Sequence, residues 1–199
     1  APPLGVGFAM GMTMVMSTGD KGTSGGAGNY GSGVRISGVG TAHNTIAGNR
    51  IGPDIRGYGS QPNGRESGHG VRIDSGASAN VIGGGVTGRN VISGNLRCGI
   101  ELTGAGTSGN VVAGNFIGTS STGVSSLGNS SGVMIWKGAS GNVIGGAGPT
   151  DGNVISGNRG DLFPFSGGVM VYDTGTTGNV IAGNKIGTDS TGTRALRNG

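Results

Sequence analysis

The sequence predicts an all-β solenoid, in which short parallel strands wind into stacked layers, on the basis of three observations. Gly accounts for 50 of the 199 residues, and the apolar runs between Gly and Asn are only three or four residues long. Short β-branched runs bounded by turn residues are typical of strands, and no apolar spacing of helical period occurs. Internal motifs also recur along the chain, as in solenoids whose units bury their apolar faces against one another.

Two repeat motifs alternate along the chain and define the order of its repeat units. The first, Asn-x-x-x-Gly-Asn, occurs as NTIAGNRIG at 44–52, NVVAGNFIG at 110–118 and NVIAGNKIG at 179–187. The second occurs as ANVIGGGVTGRNVISGN at 79–95 and GNVIGGAGPTDGNVISGN at 141–158. Units with the first motif are called B and units with the second A, so the predicted order is B-A-B-A-B. Gly and Asn tolerate the left-handed backbone conformation, so GN and GG predict sharp corners, where stacked Asn side chains would form hydrogen-bonded ladders.

A third motif, Gly-Val/Ile-x-hydrophobic, marks a strand whose side chains alternate between core and solvent. The predicted core face holds the pairs Val34/Ile36, Val71/Ile73, Ile100/Leu102, Val133/Ile135 and Val169/Val171. The predicted outer face holds two columns, Arg35, Arg72, Glu101, Met134 and Met170 in one and Ser37, Asp74, Thr103, Trp136 and Tyr172 in the other. These columns are charged or polar in the first half of the chain and apolar in the second.

The pattern NVISGN…GIEL…GTSGNVVAGNFIGT…TG…LGN resembles the right-handed parallel β-helix repeats of large secreted and surface proteins of bacteria. The resemblance covers about residues 28–199 and is specific because the pattern recurs in phase five times. It implies a right-handed parallel β-helix, an extracellular or cell-surface setting and a structural or adhesive role, but no particular activity. We therefore expect one β-helix of five related repeat units over 28–199, and a separate N-terminal strand arm and linker over 1–27.

The apolar half of the outer face is a candidate binding surface. Met134, Trp136, Met170 and Tyr172 are predicted to form one solvent-facing apolar patch if the strands stack in register. Exposed apolar clusters usually mark binding surfaces. Alternatively, a segment of the same chain, such as RGDLFPFSGG at 159–168, covers the four side chains. Both interpretations are compatible with the sequence.

Carbohydrate cleavage is the main rival hypothesis, because some parallel β-helices carry catalytic Asp, Arg, Lys or His on one outer sheet face. SGHGVRID at 67–74, with His69, Arg72 and Asp74, is similar to the Gly-His-Gly segment of polygalacturonases. The accompanying Asn-Thr-Asp and Asp-Asp motifs of that family are missing from the expected upstream positions. Pectate-lyase-like sites need several carboxylates to hold Ca²⁺, which takes about six to eight oxygen ligands. Here Glu101 and Asp74 are the only carboxylate candidates for this face. We expect no catalytic residue, no cofactor and no metal site.

The N-terminal stretch GFAMGMTMVMSTGD at 7–20 departs from the repeats. One phase of this alternating strand carries the apolar side chains of Phe8, Met10, Met12, Met14 and Met16. Met adapts to irregular apolar surfaces, which suits a docking strand. We expect this arm to add to a β-sheet edge or to cross the apolar patch, on its own chain or on a neighbour, or else to cap its own first repeat.

The sequence ends near the phase in which its repeats begin. IGTDSTGTRALRNG at 186–199 is similar to IGTSSTGVSSLGNSSG at 117–132, and AGNYGSGVRI at 27–36 is similar to LGNSSGVMI at 127–135. Either this chain is a piece of a longer repeat array, or copies of it stack head to tail into an open filament, as a heterologous interface permits. That contact would place a B unit on a B unit, whereas B is followed by A within the chain.

Composition and motifs together favour a structural role. The charged residues, 11% of the chain, are scattered, unlike those of nucleic-acid-binding proteins, and the apolar runs fall short of the ~18 residues of a membrane helix. The single Cys98 excludes an intramolecular disulfide. We predict a non-enzymatic extracellular subunit that assembles with itself, head to tail, into a filament or surface fibre with the arm as its joint. The alternatives are a carbohydrate-binding or carbohydrate-cleaving β-helix, in which Trp136 and Tyr172 stack on sugars, and an adhesin fragment that does not self-associate.

Overall fold

The computed structural model describes residues 29–64, 68–161 and 167–199, and these form three parallel sheets of five short strands each. The first sheet contains β1 (Val34–Ser37), β4 (Val71–Asp74), β7 (Cys98–Thr103), β10 (Ser131–Trp136) and β13 (Val169–Val171). The second contains β2 (Thr45–Ile46), β5 (Val81–Gly83), β8 (Val111–Ala113), β11 (Val143–Gly145) and β14 (Val180–Ala182). The third contains β3 (Arg50–Ile51), β6 (Val91–Ile92), β9 (Phe116–Ile117), β12 (Val154–Ile155) and β15 (Lys185–Ile186).

Consecutive strands enter different sheets, and every third strand returns to the same sheet beside its predecessor. One strand from each sheet therefore makes a layer, and the described chain stacks five layers in parallel. The register follows the repeats, since Val71 pairs with Val34 on one side and with Ile100 on the other. The prediction of an all-β parallel solenoid is confirmed.

The core is a single aliphatic column inside the three sheets. The isoleucines of the three inner layers, among them Ile73, Ile82 and Ile144, are fully buried and belong to one cluster with Leu102 and Val133. The predicted core face of the first sheet is confirmed from Ile36 to Ile135. At the two ends Val34 and Val169 pack only partly against the cluster, and the prediction is wrong for Val171, which is 41% exposed because no described layer follows it. Burial of aliphatic side chains between layers is therefore the main favourable contribution to stability.

Three buried asparagine ladders run through the corners, as the repeated GN pairs predict. One ladder, for example, runs through Asn44, Asn80, Asn110, Asn142 and Asn179. In this ladder, the backbone N–H and a side-chain Nδ2–H of each Asn donate to the side-chain oxygen of the Asn in the next layer. Parallel ladders run from Asn49 to Asn184 and from Asn29 to Asn198. The ladders satisfy backbone groups that the tight corners leave unpaired, because Nδ2 also donates to main-chain carbonyls such as Ile82 O.

Close contact between layers explains why glycine recurs at the corners. At Gly83 φ is +102°, and a Cβ atom there would lie 1.9 Å from the carbonyl oxygen of Ala113 in the next layer. The left-handed conformation and the missing side chain are both needed at that position. The corner could not form with an L-residue that carries a side chain.

Two kinds of layer alternate along the solenoid. Layers one, three and five carry a projecting loop after the third sheet, at 53–60, 119–126 and 188–195, each closed by an antiparallel bridge. These loops contact one another across the intervening layer, since Ser121 N donates to Gly57 O at 3.1 Å and Ser190 N to Gly123 O at 2.8 Å. Layers two and four instead carry their longer connection between the second and third sheets. The B-A-B-A-B order thus corresponds to a structural period of two layers.

Candidate functional site

The outer face of the first sheet brings the predicted columns together in the predicted register. Arg35 pairs with Arg72, Arg72 with Glu101, Glu101 with Met134, and Met134 with Met170. The second column runs beside it, with Asp74 next to Thr103 and Thr103 next to Trp136. Side chains far apart in sequence therefore become neighbours because each layer adds one strand to this sheet.

The charged half of the face is a network in which two arginines and two carboxylates alternate. Arg35 donates to Asp74 Oδ2 from Nε at 3.0 Å and lies 2.8 Å from it through Nη2. Arg72 bridges the carboxylates, with Nε on Asp74 Oδ2 and Nη1 2.9 Å from Glu101 Oε2. Both carboxylates are buried, whereas the Arg35 side chain is 49% exposed and that of Arg72 30% exposed. The face therefore presents guanidinium groups to solvent and hides their partners.

His69 lies at the inner edge of this network, two residues before β4 begins. Its Nδ1 accepts the backbone N–H of Cys98 at 3.3 Å, so the proton is on Nε2, which lies 3.3 Å from Glu101 Oε2. Burial lowers the pKa of His69 to about 3, and the positive charges of Arg72 and Arg97 act in the same direction. His69 is therefore neutral over the physiological pH range.

The pKa values of Glu101 and Asp74 are shifted in opposite directions. Burial raises the pKa of Glu101 above its ordinary value, although Arg72 and the Trp136 Nε1–H, which donates to Glu101 Oε1 at 2.9 Å, oppose that effect. Burial also acts to raise the pKa of Asp74, but the side chains of Ser37, Arg72 and Arg35 outweigh it and lower the pKa. Glu101 is thus buried rather than open to a substrate. Its Oε1 accepts the Trp136 N–H, whereas Oε2 lies near Arg72 and His69 without a hydrogen-bond partner among the described residues.

The apolar half of the face is only partly exposed, which corrects the prediction of a fully solvent-facing patch. Met134 is 2% exposed, Met170 and Trp136 are partly buried, and Tyr172 is 42% exposed. The Tyr172 hydroxyl lies 3.4 Å from Met134 Sδ, so a neighbouring layer covers the methionine from the side. The outer surface at this end is consequently formed by the two aromatic rings.

The aromatic pair is held in a fixed arrangement. The ring centroids of Trp136 and Tyr172 are 5.5 Å apart with an interplanar angle of 38°. Lys137 Nζ lies 3.7 Å from the centroid of the Trp136 ring, within the range of a cation–π contact. Sequence reasoning missed Lys137, although its place directly after the outward-facing Trp136 was a usable signal.

Three further sets of residues complete the description: the apolar residues of the N-terminal arm, Cys98 and His43. Phe8, Met10, Met12, Met14 and Met16 lie outside the described residues. Cys98 is buried, and burial raises the pKa of its thiol to about 12, so it is not a reactive thiolate. His43 is exposed at a corner.

The end of the fifth layer is a second candidate surface. Its core-facing side chains are exposed, at 41% for Val171, 43% for Ile181 and 45% for Ile186. The side-chain oxygens of Asn179 and Asn184 accept bonds from the fourth layer, but their backbone N–H groups have no acceptor among the described residues. This face therefore combines apolar side chains with unpaired ladder donors.

The first layer presents the opposite chemistry. Its core-facing isoleucines, Ile36, Ile46 and Ile51, are 5%, 9% and 6% exposed. The side-chain oxygens of Asn44 and Asn49 receive no bond from the residues described, whereas their N–H groups are used by the second layer. One end of each of these two ladders thus offers acceptors and the other end donors.

Within the described ranges, no group of three or more metal-ligating side chains occurs. In the same ranges, no helix has the length and apolar character needed to cross a membrane.

Comparison with known proteins gives no match, since no family model, curated protein or solved structure is significantly similar to the chain. The fold is a parallel β-solenoid, and its candidate sites are the outer face of the first sheet and the exposed face of the fifth layer.

Proposed function

We propose that this chain is a structural subunit, extracellular or at a cell surface, that joins copies of itself head to tail into a filament. The observation that carries the proposal is the exposure of Val171, Ile181 and Ile186, whose counterparts one layer earlier are fully buried. Exposed edges of parallel sheets readily accept another strand, and an apolar edge does so most readily.

The asparagine ladders support a head-to-tail joint over a head-to-head one. Asn179 and Asn184 offer N–H donors at one end, and Asn44 and Asn49 offer side-chain oxygens at the other. Donors placed against donors would leave buried polar groups unpaired, which costs about 1–3 kcal/mol per group. A repeated contact between unlike ends forms a ring if its rotation closes and a filament if it does not, and stacking along the solenoid axis does not close.

The corner loops argue against direct contact between the fifth layer of one copy and the first layer of the next. The loops at 53–60, 119–126 and 188–195 fill the height of two layers, because each contacts its equivalent across an intervening layer. A direct contact would bring 188–195 and 53–60 to a spacing of one layer. The joint therefore needs an intervening segment, which would have to accept from the Asn179 and Asn184 N–H groups on one side and donate to the Asn44 and Asn49 oxygens on the other.

We assign that segment to the N-terminal arm. Phe8 and the four methionines at 10, 12, 14 and 16 give residues 7–16 one apolar side, which suits packing on the exposed aliphatic side chains of the fifth layer. This assignment rests on the sequence of the arm and on the chemistry of the face that would receive it.

The test compares the full chain with a variant that lacks residues 1–16 and with Ile181→Asp, by negative-stain imaging and light scattering. We expect filaments from the full chain and none from either variant, since one lacks the joint and the other places a charge on the receiving face. Val86→Asp is the matched control because Val86 is exposed on a connection of the second layer. A strictly monomeric full chain, or filaments that persist without residues 1–16, would contradict the proposal.

A further inference from the structure

We infer that the open edge of the first layer is a docking surface for residues 5–28 of the same chain, which form a further layer built like layer two. The outer edge of this added layer is then the surface on which the fifth layer of another copy stacks. The contact within one chain stands without filament assembly, whereas the contact between copies rests on the function proposed above.

The asparagine ladder between the third and first sheets begins one layer before the other two ladders. Within the described residues it has six members, whereas the ladders that start at Asn44 and Asn49 have five each. The extra member is Asn29, whose N–H and Nδ2–H donate to Asn63 Oδ1 at 3.2 and 3.0 Å. Gly64 N also donates to Asn29 O at 2.9 Å. The described structure therefore already contains the last corner of a layer that precedes the first.

The other two corners of the first layer lack the partners that such a layer would bring. Asn80 Oδ1 accepts the N–H and Nδ2–H of Asn44 in the layer before it, at 3.0 and 2.8 Å. The side-chain oxygens of Asn44 and Asn49 receive no such bonds from the described residues. Residues 5–28 contain no proline, so each of them carries a backbone N–H that can donate to these oxygens.

The two ends of the solenoid need different things from the arm. The core-facing side chains Ile36, Ile46 and Ile51 are only 5–9% exposed, so the first layer needs hydrogen-bond donors more than apolar cover. Their counterparts in the fifth layer are 41–45% exposed and need apolar cover as well as acceptors. A layer formed by the arm has backbone N–H groups along one edge, apolar side chains in its core positions, and the hydroxyl oxygens of Thr13, Ser17 and Thr18 as acceptors.

The arm carries the motif that begins the first strand of each described layer. GVGF at 5–8 follows the same Gly-Val/Ile-x-hydrophobic pattern as GVRI at 33–36. In the register of those strands, Val6 and Phe8 take core positions, and the methionines at 10, 12, 14 and 16 continue the same phase. Gly25 and Gly26 stand where layer two has the third strand VI at 91–92, so this layer lacks two apolar side chains. Long, flexible methionines suit the space that is left.

The length of the arm matches a layer without a corner loop. Gly5 and Gly33 are 28 positions apart, and the glycines that begin layers two and three, Gly70 and Gly99, are 29 apart. Layers one and three, which carry corner loops, take 37 and 33 positions. Asn29 also precedes Gly33 by four positions, as Asn95 precedes Gly99. The arm is therefore long enough for one turn of the solenoid with a direct third corner.

The corner loops require a layer of this kind at this place. The loop at 119–126 contacts the loop at 53–60 across layer two, which has no loop at that corner. An added layer without such a loop sets 188–195 of one copy and 53–60 of the next at the same two-layer spacing. In the pattern of Ser121 N on Gly57 O and Ser190 N on Gly123 O, Ile55 N would then donate to Gly192 O of the other copy.

Disulfide formation tests the contact within one chain. In the inferred register Ala9 lies beside Ser37 on the outer face, in strands about 4.8 Å apart, which a disulfide spans. Cys98→Ser removes the native thiol, and the register partner of Cys98 in the next layer is itself Ser131. In this background we expect Ala9→Cys with Ser37→Cys to close within single chains at least about tenfold faster than Ala9→Cys with Val86→Cys, whose second site is exposed on a connection of layer two.

Hydrogen exchange measures the same contact without added cysteines. In the Ile181→Asp background, which keeps copies apart, we expect deletion of residues 1–16 to speed amide exchange in β1–β3 at least about tenfold and in β10–β12 less than about twofold. Equal changes in both sets of strands would overturn the added layer, and so would no change in β1–β3.

A second cysteine pair tests the contact between copies. Tyr172 lies in the same outer column as Ser37, so Ala9 on the added layer of one copy would lie beside Tyr172 of another. Ala9→Cys with Tyr172→Cys, again with Cys98→Ser, should therefore give disulfide-linked ladders of increasing size on a denaturing gel. Within one chain these two sites are five layers apart, roughly 24 Å, and cannot be joined.

The outcomes separate the inference from the proposed filament. Closure of the Ala9/Ser37 pair between chains, or no faster than the Val86 control, would overturn the added layer even if filaments form and need the arm. Closure within single chains without ladders from the Ala9/Tyr172 pair would support the added layer and contradict both the inferred contact between copies and the filament built on it.

Discussion

The fourth and fifth layers have equivalent apolar core positions yet differ sharply in burial. In each sheet a fully buried isoleucine of the fourth layer pairs with a residue that is about two-fifths exposed in the fifth, and the pairs are Ile135/Val171, Ile144/Ile181 and Ile155/Ile186. The fourth layer has a neighbour on both sides. The difference shows that a core side chain of the solenoid is buried mainly by the adjacent layers and only slightly by residues of its own layer. Matched substitutions in the two layers therefore test this dependence directly.

The largest expected effect is on the asparagine ladder. Asn115→Ala removes an oxygen that accepts from Asn90 N and Nδ2, and donors to Ile82 O and to the Asn153 side chain, all within a buried corner. At about 1–3 kcal/mol for each buried group left unpaired, we expect unfolding to become easier by on the order of 4 kcal/mol. Asn184→Ala, at the partly exposed end of the same ladder, should cost less than half of that because water replaces the lost partners. Urea denaturation measures both, and equal losses would contradict the dependence on neighbouring layers.

The core gives the next largest difference. Ile144→Ala should destabilise the chain by about 3 kcal/mol, since it removes a fully buried side chain and leaves a cavity between two layers. Ile181→Ala, in the next position of the same column, should cost about 1 kcal/mol or less, because that side chain is already exposed. Thermal and urea unfolding provide the measurement, with both substitutions made in the variant that lacks residues 1–16, so that the proposed joint does not cover the fifth layer. A similar cost at both positions would mean that the fifth layer is covered in solution.

The smallest change for each step of the measurement is the slope of stability against pH, and it concerns His69 in the second layer. The pKa of His69 is lowered from 6.5 to about 3 in the folded chain, so the unfolded chain binds the extra proton between those values. Stability contributed by the neutral form is full above pH 6.5 and is lost as pH falls towards 3, by at most about 1.4 kcal/mol per pH unit. His69→Gln keeps a side-chain donor for Glu101 and should flatten this slope, whereas His43→Gln, at an exposed corner, should leave it unchanged. Equal slopes in all three proteins would contradict the burial of His69 in its neutral form.

Much of the fold could be predicted because the repeats and the strand period agree. The glycine-bounded Val/Ile runs define the core face, and aligning the repeats gives the columns from Arg35 to Met170 without further information. The ladders follow from the recurring GN corners. Local pattern and global stacking coincide at these positions, so the pattern determines the structure.

The details of the candidate site could not be predicted for two physical reasons. His69 shares the alternation phase of the core residues Val71 and Ile73, but it precedes the strand, where that alternation does not hold, and it meets Glu101 one layer away. Met134 faces outward as predicted, yet Tyr172 in the next layer lies against it. Contacts across layers depend on side-chain direction and length, which a period of two does not encode.

The alternation of corner loops also limits how this chain can grow or shrink by repeat duplication. The loops of alternate layers contact each other, as in the bond from Ser121 N to Gly57 O. Adding or removing one layer would either place two such loops in adjacent layers or leave a gap between them. Gains and losses of two layers, about 66 to 69 residues as measured by the motif copies at 44, 110 and 179, preserve every loop contact. We therefore expect arrays of this kind to lengthen or shorten by pairs of layers. Chains that differ by an odd number of layers should carry a compensating change in one loop.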